Sequence, residues 1–168
     1  FNFFKYDKES KKYWWTPYIG TGLTVFFFNP KAEYKGQWYY LQPLGTEGQN
    51  DPSYSGVKKY RLFSLAIPIV GGFKFSFKRN WNIAIEAGVR KTFTDYLDDV
   101  STTYAPRSLF PNDANGDPSI AMLLQDRSYE IDPNNMLSNV PGRQRGWSKQ
   151  KDQYVIVEVG ISINISTY

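Results

Sequence analysis

The chain has 168 residues, a formal net charge of +4 and aromatic side chains at 18% of its positions, but neither cysteine nor histidine. The missing residue types exclude disulfide scaffolds, zinc sites built on cysteine or histidine, and histidine-dependent catalytic triads. The positive residues form no stripe interleaved with aromatics, so we predict no nucleic-acid partner. The absence of a run of 18 apolar residues excludes a transmembrane helix.

Alternation of apolar with small or polar side chains predicts five β-strands, because a period of two residues places one kind of side chain on each face. They are residues 1–5, residues 13–28, residues 63–77, a strand that begins at Trp81, and residues 153–167. The third is the clearest, since every odd position from 63 to 77 is apolar apart from one glycine. At about 3.3 Å per residue it spans roughly 50 Å, far longer than an ordinary strand.

Two prolines interrupt this pattern. Pro17 and Pro68 lie within the second and third strands and remove backbone donors from the ladder. We expect β-bulges at these positions, with the neighbouring glycines relaxing the backbone.

The connections between the strands alternate in length. Residues 6–12 and 78–80 are short, whereas about thirty residues precede the third strand and some fifty precede the fifth. In bacterial outer-membrane barrels, short turns face the periplasm and long loops face outside. We therefore predict an all-β fold, a small antiparallel transmembrane β-barrel of eight strands, of which about the last five lie in this chain. Residues 1–168 would form one barrel domain in the bacterial outer membrane, with the earlier strands preceding Phe1.

The second face of the strands indicates which side meets lipid. It carries small residues with isolated charges, whereas a water-exposed face would be rich in lysine, glutamate, aspartate and glutamine. Such a face suits a narrow lumen filled by its own side chains. A tight turn at 78–80 places Gly72 opposite Glu86. We predict a lumenal charge network that either stabilises the barrel or serves conduction or substrate binding; its members are Lys74, Glu86, Arg90 and Glu158.

Aromatic and basic residues are predicted at the periplasmic ends of the strands. Trp15 and Trp81 adjoin the short turns on the apolar face, where they form an aromatic girdle or pack as ordinary core aromatics at a strand end. The basic residues of the turns would contact lipid phosphates or an acidic periplasmic partner. These residues are Lys8, Lys11, Lys12, Lys78 and Arg79.

No residue set supports catalysis or a bound cofactor. Without histidine the chain offers no credible pair of nucleophile and base, so we predict no enzyme, no cofactor and no metal site. Asp113, Asn115 and Asp117 have the spacing of calcium-loop ligands, but proline and leucine stand where the turn glycine and the bidentate glutamate belong. The basic stretch 141–147 either folds over the outer rim, contacts lipopolysaccharide phosphates or forms an ordinary loop.

Several short segments carry a family resemblance. They are residues 17–19 (PYI), 27–32 (FFNPKA), 41–49 (LQPLGTEGQ), 90–104 (RKTFTDYLDDVSTTY) and 144–146 (QRG). Together they resemble the PorG family of small outer-membrane barrels from the type IX secretion and gliding machinery. The resemblance implies a structural, non-enzymatic component that anchors a periplasmic ring, made of a PorK-like lipoprotein and its PorN-like partner, to the outer membrane. Members of that family also carry a signal peptide and earlier strands.

Three classes of function remain open on the sequence. The first is a structural accessory of a protein secretion apparatus, which contacts membrane lipid and the periplasmic ring. The second is a small outer-membrane channel or transporter barrel. The third is a soluble ligand-binding barrel, in which the apolar residues would line the interior instead of facing lipid.

Overall fold

The computed structural model describes residues 1–7, 12–54, 56–77, 80–132, 134 and 140–163. Within these ranges no helix is both long and apolar enough to cross a membrane. The secondary structure is mainly antiparallel β-sheet with a few short helices. Its strands and α-helices, in chain order, are β1 (Trp15–Thr21), β2 (Thr24–Phe27), β3 (Lys31–Tyr34), β4 (Gln37–Tyr40), α1 (Leu41–Leu44), β5 (Phe63–Phe77), β6 (Trp81–Thr92), α2 (Ile120–Gln125) and β7 (Gln153–Ile163).

The chain forms two compact units. The strand unit contains Phe1–Val25, Leu65–Phe93 and the described residues of Gln153–Tyr168. The loop unit contains Phe26–Ser64 and the described residues of Thr94–Asp152. The prediction of one domain rested on chain length and strand pattern, and it stays a prediction.

The strand unit is built on one antiparallel sheet in the order β1-β5-β6-β7, and β2 also pairs with β5. Residues 1–3 extend the sheet beyond β1, where the Phe3 amide donates to the Pro17 carbonyl at 3.0 Å. The N–H and C=O of a strand residue point to the same side of the strand. Because the Pro17 carbonyl faces residues 1–3, the N–H that proline lacks would also have faced them, and the β1–β5 ladder loses no hydrogen bond at this residue. Among the described residues β7 has no strand on its outer side, and the described sheet is open. Barrel closure and the number of eight strands stay predictions.

The strand predicted at 63–77 is confirmed as β5, but the single strand predicted at 13–28 is wrong. It is divided into β1 and β2, and the last residue pair of the β1–β5 ladder is Thr21 with Ile69. Continued by one residue, that register places Gly22 opposite Pro68, which has no N–H to donate. The missing donor explains why the strand is interrupted there. The Pro68 carbonyl instead accepts a hydrogen bond from the Thr21 hydroxyl at 2.8 Å.

The two faces of the sheet differ in exposure along β1, β5 and β6, whereas both faces of β7 are largely exposed. Phe63, Ile85 and Val159 on the apolar face are 48%, 46% and 67% exposed, so these side chains are not packed together in a closed interior. On the opposite face Thr16 and Ala66 are fully buried. The soluble-barrel alternative places the apolar side chains inside, and this distribution of exposure is the reverse.

The loop unit has structure that the sequence analysis assigned only to connections. Strands β3 and β4 form a hairpin whose turn residues, Lys35 and Gly36, have φ angles of 49° and 80°. Two positive φ values are typical of a type I′ turn, which matches the right-handed twist of the strands. A small core of Ala105, Phe110 and Met122 joins α2 to the preceding segment.

Candidate functional site

The polar face of the strand unit carries a row of residues in register across four strands. Tyr18 on β1 lies opposite Gly72 on β5, which lies opposite Glu86 on β6, which lies opposite Glu158 on β7. The predicted pairing of Gly72 with Glu86 is confirmed. The row places two carboxylates on directly facing residues, an arrangement that requires compensating cations or donors.

Gly72 leaves room for the side chains of Tyr18 and Glu86 to meet. The Tyr18 hydroxyl donates a short hydrogen bond to Oε2 of Glu86, across the strand that carries Gly72. A Cβ at position 72 would overlap the Ile85 carbonyl oxygen and approach the Glu86 Cβ to 2.8 Å. Because glycine has no side chain, β5 and β6 approach closely here and the tyrosine ring passes over the gap.

The two cations of the predicted network lie against this row. The Lys74 ammonium lies 4.2 Å from the centroid of the Tyr18 ring, within the range of a cation–π contact. Arg90 Nη2 lies 3.2 Å from Oε2 of Glu158. Two lysine or arginine charges thus accompany the two glutamates, and the set is formally neutral. That these groups face a closed lumen stays a prediction.

Trp15 and Trp81 lie at the same end of the sheet. Trp15 pairs with Phe75 at the start of β1, and Trp81 pairs with Phe77 at the start of β6. Trp15 also packs against Phe4, and Trp81 is 48% exposed. The geometry is that of an aromatic band at one edge of an exposed apolar face, although their assignment to a membrane girdle stays a prediction.

The basic turn residues are described only in part. Lys12 is exposed, and its ammonium lies 5.5 Å from the centroid of the Tyr13 ring. The other predicted contact residues, Lys8, Lys11, Lys78 and Arg79, lie outside the described residues.

The loop unit contains a buried polar network around Glu47, whose side chain is fully buried. Its carboxylate accepts hydrogen bonds from the Ser101 amide at 2.9 Å and the Thr102 hydroxyl at 2.7 Å. It also accepts one from Nη1 of Arg145 at 3.1 Å, and the guanidinium is nearly buried as well. A buried charge pair is stable only when its remaining donors and acceptors are satisfied, and these contacts satisfy the carboxylate.

Asp99 extends the network. It accepts a short hydrogen bond from the Thr46 hydroxyl and one from the Tyr60 hydroxyl at 2.7 Å. Arg145 donates to the Asp99 backbone carbonyl at 2.7 Å and approaches its carboxylate at 4.0 Å. Burial raises the pKa of Asp99 above its ordinary value, because the ionised carboxyl loses its hydration. Burial and the Glu47 carboxylate also raise the pKa of Tyr96 to about 12.

This network is where three segments of the family resemblance meet. Glu47 lies in 41–49, Asp99 and Thr102 lie in 90–104, and Arg145 lies in 144–146. The Gly146 backbone packs so closely on Ser101 that a Cβ would lie 2.8 Å from the Ser101 amide nitrogen. The motifs themselves carry no local pattern that predicts this contact. Residues 141–147 were predicted to fold over the outer rim, to contact lipopolysaccharide phosphates or to form an ordinary loop, and the structure shows that Arg145 is buried within the loop unit.

The acidic residues of the calcium-like sequence take part in a turn. In the described ranges no three histidine, cysteine, aspartate or glutamate side chains are grouped so as to hold a metal ion. At the calcium-like sequence, Asp113 Oδ1 accepts the amides of Asn115 and Asp117 at 2.8 and 2.9 Å. Such an Asx-type turn uses the carboxylate to close the loop on itself.

Comparison with known proteins gives a family but no function. No curated protein and no solved structure matches the chain. A family model described as a domain of unknown function (DUF6089) matches residues 1–108. The matched region contains β1 to β6, Glu47 and Asp99, and ends before Arg145. Since the match covers well over half of the 168 residues, the protein belongs to the DUF6089 family.

Proposed function

We propose that the protein is an outer-membrane β-barrel that serves as a structural anchor of a secretion apparatus. The observation that carries the proposal is the exposed apolar face of β5, β6 and β7. Val155, Val157, Val159 and Ile161 on β7 are each 67–72% exposed. Contiguous apolar surface of this extent is rare on a protein in water and indicates contact with lipid or another apolar surface.

The dimensions of the strands support the same conclusion. β6 has 12 residues, which at about 3.3 Å per residue makes a length of roughly 40 Å. A strand tilted by about 40° from the membrane normal would then cross about 30 Å, close to the apolar band of about 25 Å between the aromatic girdles of an outer-membrane barrel.

The polar face favours a filled interior over a conducting one. Glu86 is bonded to Tyr18, and Glu158 is paired with Arg90. Charges that neutralise one another on neighbouring strands stabilise the sheet and leave fewer groups to bind a passing ion. A small channel or transporter is therefore the second candidate, and steady conductance after reconstitution would favour it over the anchor.

The secretion role rests on the resemblance to the PorG family. The segments that carry this resemblance contain the residues of the Glu47 network, and those residues stabilise the loop unit through buried hydrogen bonds. By that resemblance the partners are a PorK-like ring lipoprotein and a PorN-like protein at the periplasmic surface. The protein would hold their ring at a fixed position on the outer membrane during protein export.

Two experiments test the proposal in sequence. The first is resistance of the envelope-bound protein to alkaline extraction, with release only by detergent; release by alkali alone would refute the membrane assignment. The second is affinity purification of the full-length protein from detergent-solubilised envelopes, with the partners identified by mass spectrometry. Recovery of the protein without ring components, under conditions that keep the ring intact, would refute the anchor role.

A further inference from the structure

An aromatic cleft lies at one end of the strand unit, where β1 begins and β5 ends. Trp14, Trp15, Phe73 and Phe75 line it, and its volume is about 380 Å³. The Trp14 and Phe75 ring centroids are 5.9 Å apart, and those of Trp15 and Phe73 are 6.4 Å apart. The cleft is shallow and open, so it would cover one side of a hydrocarbon chain and would not enclose a whole small molecule. Its lining exposes almost no polar surface, so a peptide backbone would find few hydrogen-bond partners there.

Two ammonium groups lie near the ring of Tyr13, the residue that precedes Trp14 of the cleft. The Lys5 and Lys12 nitrogens are 5.3 and 5.5 Å from the centroid of the Tyr13 ring. Tyr13 directly precedes Trp14 in the chain, and both lysine side chains are exposed. The acidic residue described in the same segment is Asp7, whose amide donates to the Tyr13 carbonyl at 3.0 Å. Lys5 and Lys12 carry two positive charges against the one negative charge of Asp7.

The lysines and the cleft are close enough to contact one ligand. Phe4 packs edge-on against Trp15 with ring centroids 5.3 Å apart, so the segment that carries Lys5 runs beside the cleft. From Tyr13 to Trp15 the chain spans at most about 7 Å, because even a fully extended chain advances by about 3.3–3.6 Å per residue. An amphiphile with an apolar chain and an anionic head group spans that distance.

We infer that the cleft binds an acyl chain of an anionic phospholipid, and that the lipid phosphate contacts Lys5 and Lys12. The rings supply the apolar surface that one hydrocarbon chain buries, and the ammonium groups supply the charge complementary to the phosphate. This inference rests on the proposed membrane location and goes beyond it, because it assigns a preferred lipid to one site. Bulk lipid at the apolar face would show no such preference for head-group charge.

Quenching of tryptophan by brominated lipid tests the inference. The probe is a full-length protein in which every tryptophan except Trp14 and Trp15 is replaced by phenylalanine, including Trp38, Trp81 and Trp147, so that the two cleft residues report alone. It is reconstituted into phosphatidylcholine vesicles that contain a minor fraction of either brominated phosphatidylglycerol or brominated phosphatidylcholine. The anionic lipid is expected to quench more strongly, with an enrichment at the cleft of roughly fivefold for each lysine.

Charge variants separate the site from general attraction. Lys5→Gln and Lys12→Gln together should abolish the difference between the two lipids. Lys91→Gln, which removes one positive charge from an exposed residue at the opposite end of β6, is compared with each single lysine variant and should leave the difference unchanged.

The outcomes distinguish this inference from the proposed function. Equal quenching by the two lipids, or a preference that survives the double lysine variant, would overturn the lipid site while the protein remains a membrane barrel. Failure of the protein to insert into vesicles of either composition would overturn both proposals.

Discussion

Replacement of Gly72 by alanine should destabilise the strand unit far more than the same replacement at Gly160. The new Cβ would overlap the Ile85 carbonyl oxygen and lie 2.8 and 2.9 Å from Cβ and Cα of Glu86. These atoms belong to the backbone or are fixed to it, so β5 must move away from β6. Both the ladder and the Tyr18–Glu86 hydrogen bond then lengthen.

The expected cost of Gly72→Ala is about 2–3 kcal/mol, the upper part of the range for an overpacked site. Gly160→Ala is the matched control, since position 160 is on the polar face of β7 and no atom lies within 4 Å of its added Cβ. The assay is urea unfolding of the protein refolded in detergent micelles, followed by tryptophan fluorescence. A Gly72→Ala midpoint equal to wild type, or an equal loss in the control, would refute the argument that close strand approach requires this glycine.

Further predictions concern the hydrogen-bonded networks and their response to pH. Tyr18→Phe should cost about 1.5–3 kcal/mol in the same assay, because the Glu86 carboxylate loses a donor. Glu47→Ala should cost about 3–5 kcal/mol, since it leaves the Arg145 guanidinium buried without its carboxylate; limited proteolysis of the loop unit should show earlier cleavage, and Glu47→Gln should show less. Burial raises the pKa of Asp152 above its ordinary value, so the folded state binds this proton more tightly than the unfolded state. This group should therefore add stability to the loop unit as pH falls from neutral towards the ordinary aspartate pKa of about 3.9, and Asp152→Asn should reduce that contribution to protease resistance; an unchanged contribution would contradict the assignment.

The long strands were predictable because their information is local and periodic. The odd positions of β5 are apolar along its 15 residues, apart from one glycine, and these side chains define one face of the sheet. The interruption between β1 and β2 was not predictable from either strand alone, because it depends on the register that brings Gly22 opposite Pro68. The proline that lacks the donor is in β5, and nothing in the sequence of β1 indicates that its ladder ends at Thr21.

The loop unit was not predictable because its interactions are non-local and polar. Arg145 has the sequence surroundings of a solvated basic turn, and its burial depends on Glu47 and Asp99, which are distant in the chain. Polar residues in loops have no periodicity from which burial could be inferred. The closest signal was the family resemblance, whose motifs contain these residues. The type I′ turn at Lys35 and Gly36 offered a local signal that the sequence analysis did not use.

The contact between Glu47 and Arg145 has a consequence for the order of folding. These residues are separated by 98 positions, and the β5–β6 hairpin lies between them in the chain. Closing a loop of this length is slow, so the contact between Glu47 and Arg145 is expected to be among the last native contacts to form. Until both segments that flank the hairpin have been synthesised and brought together, the Glu47 carboxylate stays hydrated, and the loop unit cannot complete its buried network.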